Sequence, residues 1–160
     1  MTESTDPEAC KAAEIIPPMQ DIIGYKLRRA QLAVFQDFLD TFADMKLRPA
    51  EFSVLTLIAK TPGQKQTAIA EQLGIKRANF VALMDGLEAR ALAERRKVVS
   101  DKRSHSLHLT PKGVEFTREM AEIWRGHEQR MIARLGGKAK RDQLLALLDC
   151  LLSETGSPMR

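Results

Sequence analysis

The feature that most constrains this chain lies between Lys65 and Arg90, where two short apolar stripes of helical spacing are separated by only Gly74 and Ile75. The first helix, from about Lys65 to Leu73, turns Ile69, Ala70 and Leu73 inward and stops at Gly74, which suits a left-handed C-terminal turn. The second, from about Lys76 to Arg90, places Phe80, Leu83, Met84 and Leu87 on one side, with Arg77, Asn79 and Asp85 among the remaining positions. Gly86 costs it a little helix propensity. Two helices joined by so tight a turn, the second opening on bases, read as a helix-turn-helix.

The flanking segments fit around that unit. From Ile15 to Phe42 apolar residues recur at Ile23, Leu27, Val34, Phe38 and Phe42, the stripe of a long amphipathic helix with Pro17 and Pro18 in or just before its first turn. Pro49 is preset for the first helical position of a second helix whose inner face is Phe52, Leu55, Ile58 and Ala59, ended by Thr61, Pro62 and Gly63. Leu92 to Val98 and Ser104 to Leu109 read as a hairpin around a polar tip at Val99 to Arg103, with Leu107 and Leu109 on one face. Thr110 and Pro111 cap a long helix with the stripe Phe116, Met120, Ile123, Trp124, His127, Met131 and Leu135, broken by Gly136 and Gly137. A last helix, from about Lys138 to Ser153, carries Leu144, Leu147, Leu148, Leu151 and Leu152. The expected fold is mainly α with a small β-hairpin wing, a winged helix-turn-helix. Its helical ends are too long and too apolar for the central lobe to cover, so pairing of two copies through them is the simplest way to bury them.

Charge is distributed unevenly. Between Lys76 and Gly113 nine bases face four acids, more than the whole-chain surplus of +4, whereas Met1 to Glu14 hold four acids against one base. A local basic surface on a balanced chain is the footprint of a polyanion binder. No apolar run reaches the roughly 18 to 20 residues that span a bilayer, so no membrane partner is expected. The residues Thr2 to Glu8 lack the basic start and apolar run of a signal peptide, and the two cysteines, Cys10 and Cys150, form no framework, so a cytoplasmic location is expected. His105 and His108 have opposite parity on a strand and do not share a metal; neither a metal nor another cofactor is expected.

Read together, Ile69-Ala70 with Leu73-Gly74-Ile75, Leu83-Met84-Asp85-Gly86-Leu87-Glu88, Asp101-Lys102-Arg103-Ser104 and Leu109-Thr110-Pro111-Lys112-Gly113 fall in the order of one family. The chain resembles the MarR family of ligand-responsive transcriptional regulators from about Ile15 to Ser153. Ala91 departs from the pattern, standing where the family usually has Gly, and this implies a changed turn into the wing. The resemblance implies a homodimer through helices at 15–46 and 114–155 and a winged helix-turn-helix DNA-binding domain at 47–113, while the charge pattern gives a disordered acidic tail at 1–14 as the expectation for the N-terminus. It also implies a near-palindromic double-stranded operator with half-sites about one helical turn, roughly 34 to 36 Å, apart.

Carried over by position, Arg103 resembles the wing-tip arginine that enters a minor groove, and Asp101 the acid that holds it. Lys76, Arg77 and Asn79 open the recognition helix, Arg95, Arg96 and Lys97 lie on the near strand of the wing, and Lys102 is a phosphate-contact candidate. The stretch Gly24-Tyr25-Lys26-Leu27-Arg28-Arg29-Ala30-Gln31 is similar to the first helix of members that answer to hydroxycinnamoyl-CoA thioesters. Family effectors bind in the crevice between dimerisation helices and winged lobe, which makes Tyr25, Arg28, Arg29, Trp124 and His127 the implied effector residues, for a small aromatic effector or its CoA thioester.

Plainer roles compete. Arg28 and Arg29 also suit pairing with Asp37 or Asp40 across a dimer, and His127 suits a hydrogen-bonded place in the core. An enzyme is not expected: no Gly-x-Ser-x-Gly or His-Glu-x-x-His occurs, and Ile132 stands where a P-loop ending at Lys138 needs its first Gly. The alternative function is a winged-helix module used for protein contacts without specific DNA binding.

Overall fold

A computed structural model describes residues 17–98 and 101–153, with the backbone alone at 98 and 101–104. The acidic tail with Cys10 lies outside the described residues. The chain divides into two units, Met1–Asp37 and Phe38–Arg160, and the division falls inside the first long helix.

In the first unit Pro18 precedes a short 3-10 turn, Met19–Asp21, and Ile22 is extended (φ −86°, ψ 120°) before helix α1, Ile23–Thr41, begins. The expectation that Pro17 and Pro18 sit in or just before the first turn of the long helix is corrected by a few residues: the 3-10 turn behind Pro18 and the extended Ile22 delay its start to Ile23. Ile23, Leu27, Leu32, Val34 and Phe35 are all exposed, so the N-terminal part of the expected stripe is not buried within the chain.

The second unit holds the core. Phe42, Val54, Leu55, Ile58, Ile69, Phe80, Met84, Leu87, Leu92 and Leu107 are completely buried. The rings of Phe38 and Phe42 lie 4.4 Å apart, and Phe38 meets Phe52 edge-on at 5.5 Å. These aromatic contacts fasten the last turns of α1 to α2, Pro49–Lys60. Pro49 sits in the first turn of α2, and the Arg48 amide donates to Glu51 Oε2 at 2.8 Å, a capping contact that satisfies one free backbone donor. Ala59, expected on the buried face, is exposed, and Val54, not expected there, is buried.

The helix-turn-helix comprises α3, Gln66–Gln72, and α4, Arg77–Ala89. Gly74 adopts φ +62°, and the amides of Gly74 and Ile75 donate to the carbonyls of Glu71 and Ala70 at 3.0 and 2.9 Å. These bonds close α3 with a left-handed residue at the position where a side chain is disfavoured.

The same closure recurs after α4 with Ala91 at φ +54°. The amides of Ala91 and Leu92 donate back to the carbonyls of Glu88 and Leu87 at 2.8 and 2.9 Å. The implied change in this turn does not occur: alanine takes up the glycine conformation. Thr110 Oγ1 donates to the Ala91 carbonyl at 2.6 Å and Lys112 Nζ to that of Arg90 at 3.0 Å, so contacts from the next helix hold the strained residue in place. Ala91→Gly is therefore expected to raise stability by about 1 kcal/mol, less the entropy glycine gains in the unfolded chain, and to raise the melting temperature by roughly 2 to 4 °C. A melting temperature equal to or below that of the parent, by calorimetry, contradicts this.

The wing is an antiparallel pair of β1, Ala93–Val98, and β2, Asp101–Leu109. Its register jumps from Lys97↔His105 to Val98↔Asp101, leaving Lys102, Arg103 and Ser104 as extra residues opposite that step. Of the expected tip at Val99 to Arg103, residues 101–103 already belong to β2, and residues 99–100 lie outside the described residues. A further segment pairs with the hairpin: the Gly63 amide donates to the Leu107 carbonyl at 2.9 Å, the Leu107 amide to that of Gln64 at 3.0 Å, and Lys65 bridges Ser106.

Helix α5, Pro111–Leu135, starts as expected, with Thr110 Oγ1 accepting from the Gly113 amide at 2.9 Å. After Gly136, at φ +87°, helix α6, Lys138–Ser153, buries none of its residues. Leu144, Leu145, Leu147, Leu151 and Leu152 are exposed.

Candidate nucleic-acid interface and effector cleft

Burial of Phe80, Met84 and Leu87 fixes which side of α4 faces out. Lys76, Arg77 and Asn79 are all exposed at its N-terminal end, where free backbone amides and the helix dipole favour anions. Asn79 lines a cleft of about 760 Å³ together with Lys46, Arg48, Glu51 and Arg90. Within it Arg90 is held in place, its guanidinium donating to the carbonyls of Lys46 and Met45 at 3.2 and 2.9 Å and lying 3.7 Å from Glu51.

The three wing bases grouped by sequence have different environments. Lys97 is exposed. Arg96 is exposed and pairs with Glu94 at 2.6 Å. The Arg95 side chain is only 18% exposed and its guanidinium is directed into the protein. Nε donates to Gln66 Oε1 at 2.9 Å, Nη1 to Asp85 and Glu88 at 2.7 and 2.6 Å, and Nη2 to the Val81 carbonyl at 3.0 Å. Glu88 also accepts from the Arg95 amide at 2.8 Å. One side chain therefore ties β1 to α3 and α4. Asp101, Lys102 and Arg103 lie at the start of β2, and their side chains lie outside the described residues.

Between α2 and α5 is an apolar cleft of about 510 Å³. Phe52, Val114 and Trp124 supply apolar surface, while Lys60 and Arg118 bring two cations to its lining. Thr56 also lines it, and its Oγ1 is buried without a hydrogen-bond partner among the described residues. The arrangement suits an amphipathic anion with a flat apolar part.

Of the five implied effector residues, Trp124 lines this cleft. His127 does not: it is buried, edge-on to Phe38 at 5.7 Å. Tyr25, half-buried, and Arg28 and Arg29, both exposed, belong to the first unit, where Arg28 Nη1 donates to Gln31 at 3.1 Å. Sequence reading missed Thr56, Lys60, Val114 and Arg118. Two signals were present: a threonine within the apolar stripe of α2, and an apolar Val114 off the main stripe of α5. Among the described residues no group of three or more His, Cys, Asp or Glu is placed to hold a metal, and no helix is long and apolar enough to cross a membrane.

A helix-turn-helix followed at once by a basic antiparallel hairpin packed on its second helix defines a winged-helix DNA-binding protein. The MarR family profile matches residues 47–105. The putative transcriptional regulatory protein for the hcr operon of Thauera aromatica is 32% identical over 142 residues, 86% of this chain and 85% of that protein. Among solved structures, the transcriptional repressor CouR bound to a 23-mer DNA duplex is 43% identical, with a TM-score of 0.79 over 84% of this chain and 94% of that one. The same repressor bound to p-coumaroyl-CoA gives a TM-score of 0.78 over 86% and 96%. The chain belongs to the MarR family of DNA-binding transcriptional regulators.

Proposed function

We propose that this protein is a dimeric repressor whose hold on a near-palindromic operator is loosened by an aromatic acyl-CoA thioester. The observation that carries the reading is 43% identity, over more than four-fifths of the chain, to a repressor captured with both a DNA duplex and p-coumaroyl-CoA. The apolar faces of α1 and α6, exposed in the single chain, supply the surface for pairing with a second copy. Residues 15–46 and 114–155 then form the dimerisation part, and 47–113 the DNA-binding part.

In this reading α4 enters the major groove, with Lys76, Arg77 and Asn79 reaching phosphates and base edges. Arg96, Lys97 and Lys102 meet the backbone, and Arg103, supported by Asp101, enters the minor groove. Arg95 is a positioning residue, because each of its guanidinium nitrogens already donates within the protein.

The effector's aromatic part occupies the cleft against Phe52 and Trp124, and Lys60 and Arg118 meet its anionic part. Tyr25, Arg28 and Arg29 stay effector candidates on the family resemblance. Release follows if the thioester binds more tightly to a spacing of the two lobes that DNA does not fit.

The test is fluorescence anisotropy with the gene's own upstream intergenic DNA at two salt concentrations, with p-coumaroyl-CoA or free p-coumarate. Expected is salt-sensitive binding weakened about fivefold or more by the thioester. Binding indifferent to both compounds refutes the effector, and absence of salt-sensitive binding refutes the regulator.

A further inference from the structure

The outward face of α4 differs chemically from the basic surface around it. Ala78, Val81, Ala82 and Asp85 recur at spacings that put them on one side of the helix, and all four are exposed, opposite the buried Phe80, Met84 and Leu87. Three of the four end in methyl groups, and Val81, 38% exposed, reaches furthest. The fourth, Asp85, is neutralised by Arg95 at 2.7 Å. Lys76 and Arg77 at the start of the helix, and Lys97 on the same face of β1 as Arg95, frame this patch with exposed cations.

Two features make Val81 more than an exposed apolar residue. Its carbonyl accepts from Arg95 Nη2 at 3.0 Å, so the turn of helix that carries it is anchored to the wing. A β-branched side chain in a helix has one strongly preferred rotamer, so its methyls are presented with little entropy left to lose. A cation-framed patch selects a polyanion, and the apolar group that a polyanion's major groove offers is the C5-methyl of thymine. We propose that Val81 reads a thymine methyl in each operator half-site, with Ala78 and Ala82 small enough to let the helix approach the base edge. This rests on the reading that α4 lies in the major groove.

The full-length protein is used to select binding sites from random duplexes, and each thymine of a selected half-site is then replaced by deoxyuridine, which removes the methyl and keeps the pairing. One position is expected to lose about fourfold in affinity, the value of burying a single methyl, and about sixteenfold when both half-sites are changed. In Val81→Ala the loss at that position should fall below about twofold, with the melting temperature unchanged because the side chain is on the outer face. Selected sites with no recurrent thymine, no methyl effect at any position, or an undiminished effect in Val81→Ala overturn the assignment. If those duplexes still bind with steep salt dependence, only the Val81 assignment falls. If no duplex is enriched or bound in a salt-sensitive manner, the major-groove reading falls and takes this assignment with it.

Discussion

Gly113→Ala is expected to melt on the order of 10 °C below the parent, a loss of about 3 kcal/mol. A Cβ at Gly113 would lie 1.8 Å from the Leu92 carbonyl oxygen and 2.8 Å from its carbon. That is an overlap with backbone, so no side chain can swing aside to relieve it. Leu92 is itself fixed, since its carbonyl accepts from the Thr110 amide at 3.2 Å and its side chain is 1% exposed. Either the first turn of α5 or the entry to β1 must move. Thermal unfolding at fixed protein concentration reads the effect, because dimer association shifts apparent stability. A variant melting within about 2 °C of the parent would show that α5 can lift away at no great cost.

Arg103→Ala should weaken operator binding by roughly 1 to 3 kcal/mol without changing the melting temperature, and should reduce the slope of log affinity against log salt by about one. The informative comparison is Arg95→Gln. Its guanidinium is spent on Gln66, Asp85, Glu88 and the Val81 carbonyl, so that variant should weaken binding and lower stability while leaving the salt slope as it was. Unequal slopes separate a residue that displaces counterions from one that holds the reading helix in place. If Arg103→Ala leaves affinity untouched, or if Arg95→Gln flattens the slope, the roles given to the two arginines are wrong.

What the sequence made legible is what local chemistry decides. Pro49, Gly74, the Thr110-Pro111 pair and Gly136 each mark an end by a backbone requirement of their own, and each lies at such an end. The buried sides of α3 and α4 follow directly from spacing. What escaped depends on partners far along the chain. Nothing near Arg95 distinguishes it from Arg96; Gln66, 29 residues away, and the turn of α4 at Val81 do. The pairing of Gly63 to Lys65 with β2 leaves no period in the sequence, because it is a short edge made of backbone bonds. The cleft is likewise assembled from α2 and α5, whose lining residues are separated by more than the whole helix-turn-helix. The start of α1 is not legible because an amphipathic stripe records which side is apolar and says little about the residue at which winding begins.

The Arg95 network separates what holds α4 from what α4 shows to its surroundings. Gln66, Glu88 and the Val81 carbonyl use inner side chains or main chain, and of the outward residues named above Asp85 alone takes part; the side chains of Ala78, Val81 and Ala82 point outward and have no share in the network. With α4 in the major groove as proposed, outer residues can be exchanged over evolutionary time without renegotiating the fold, so duplicated genes can diverge toward new promoters through a few substitutions. The same separation makes the helix a practical place to build orthogonal regulators for synthetic circuits, by varying those three positions while keeping the inner ones constant.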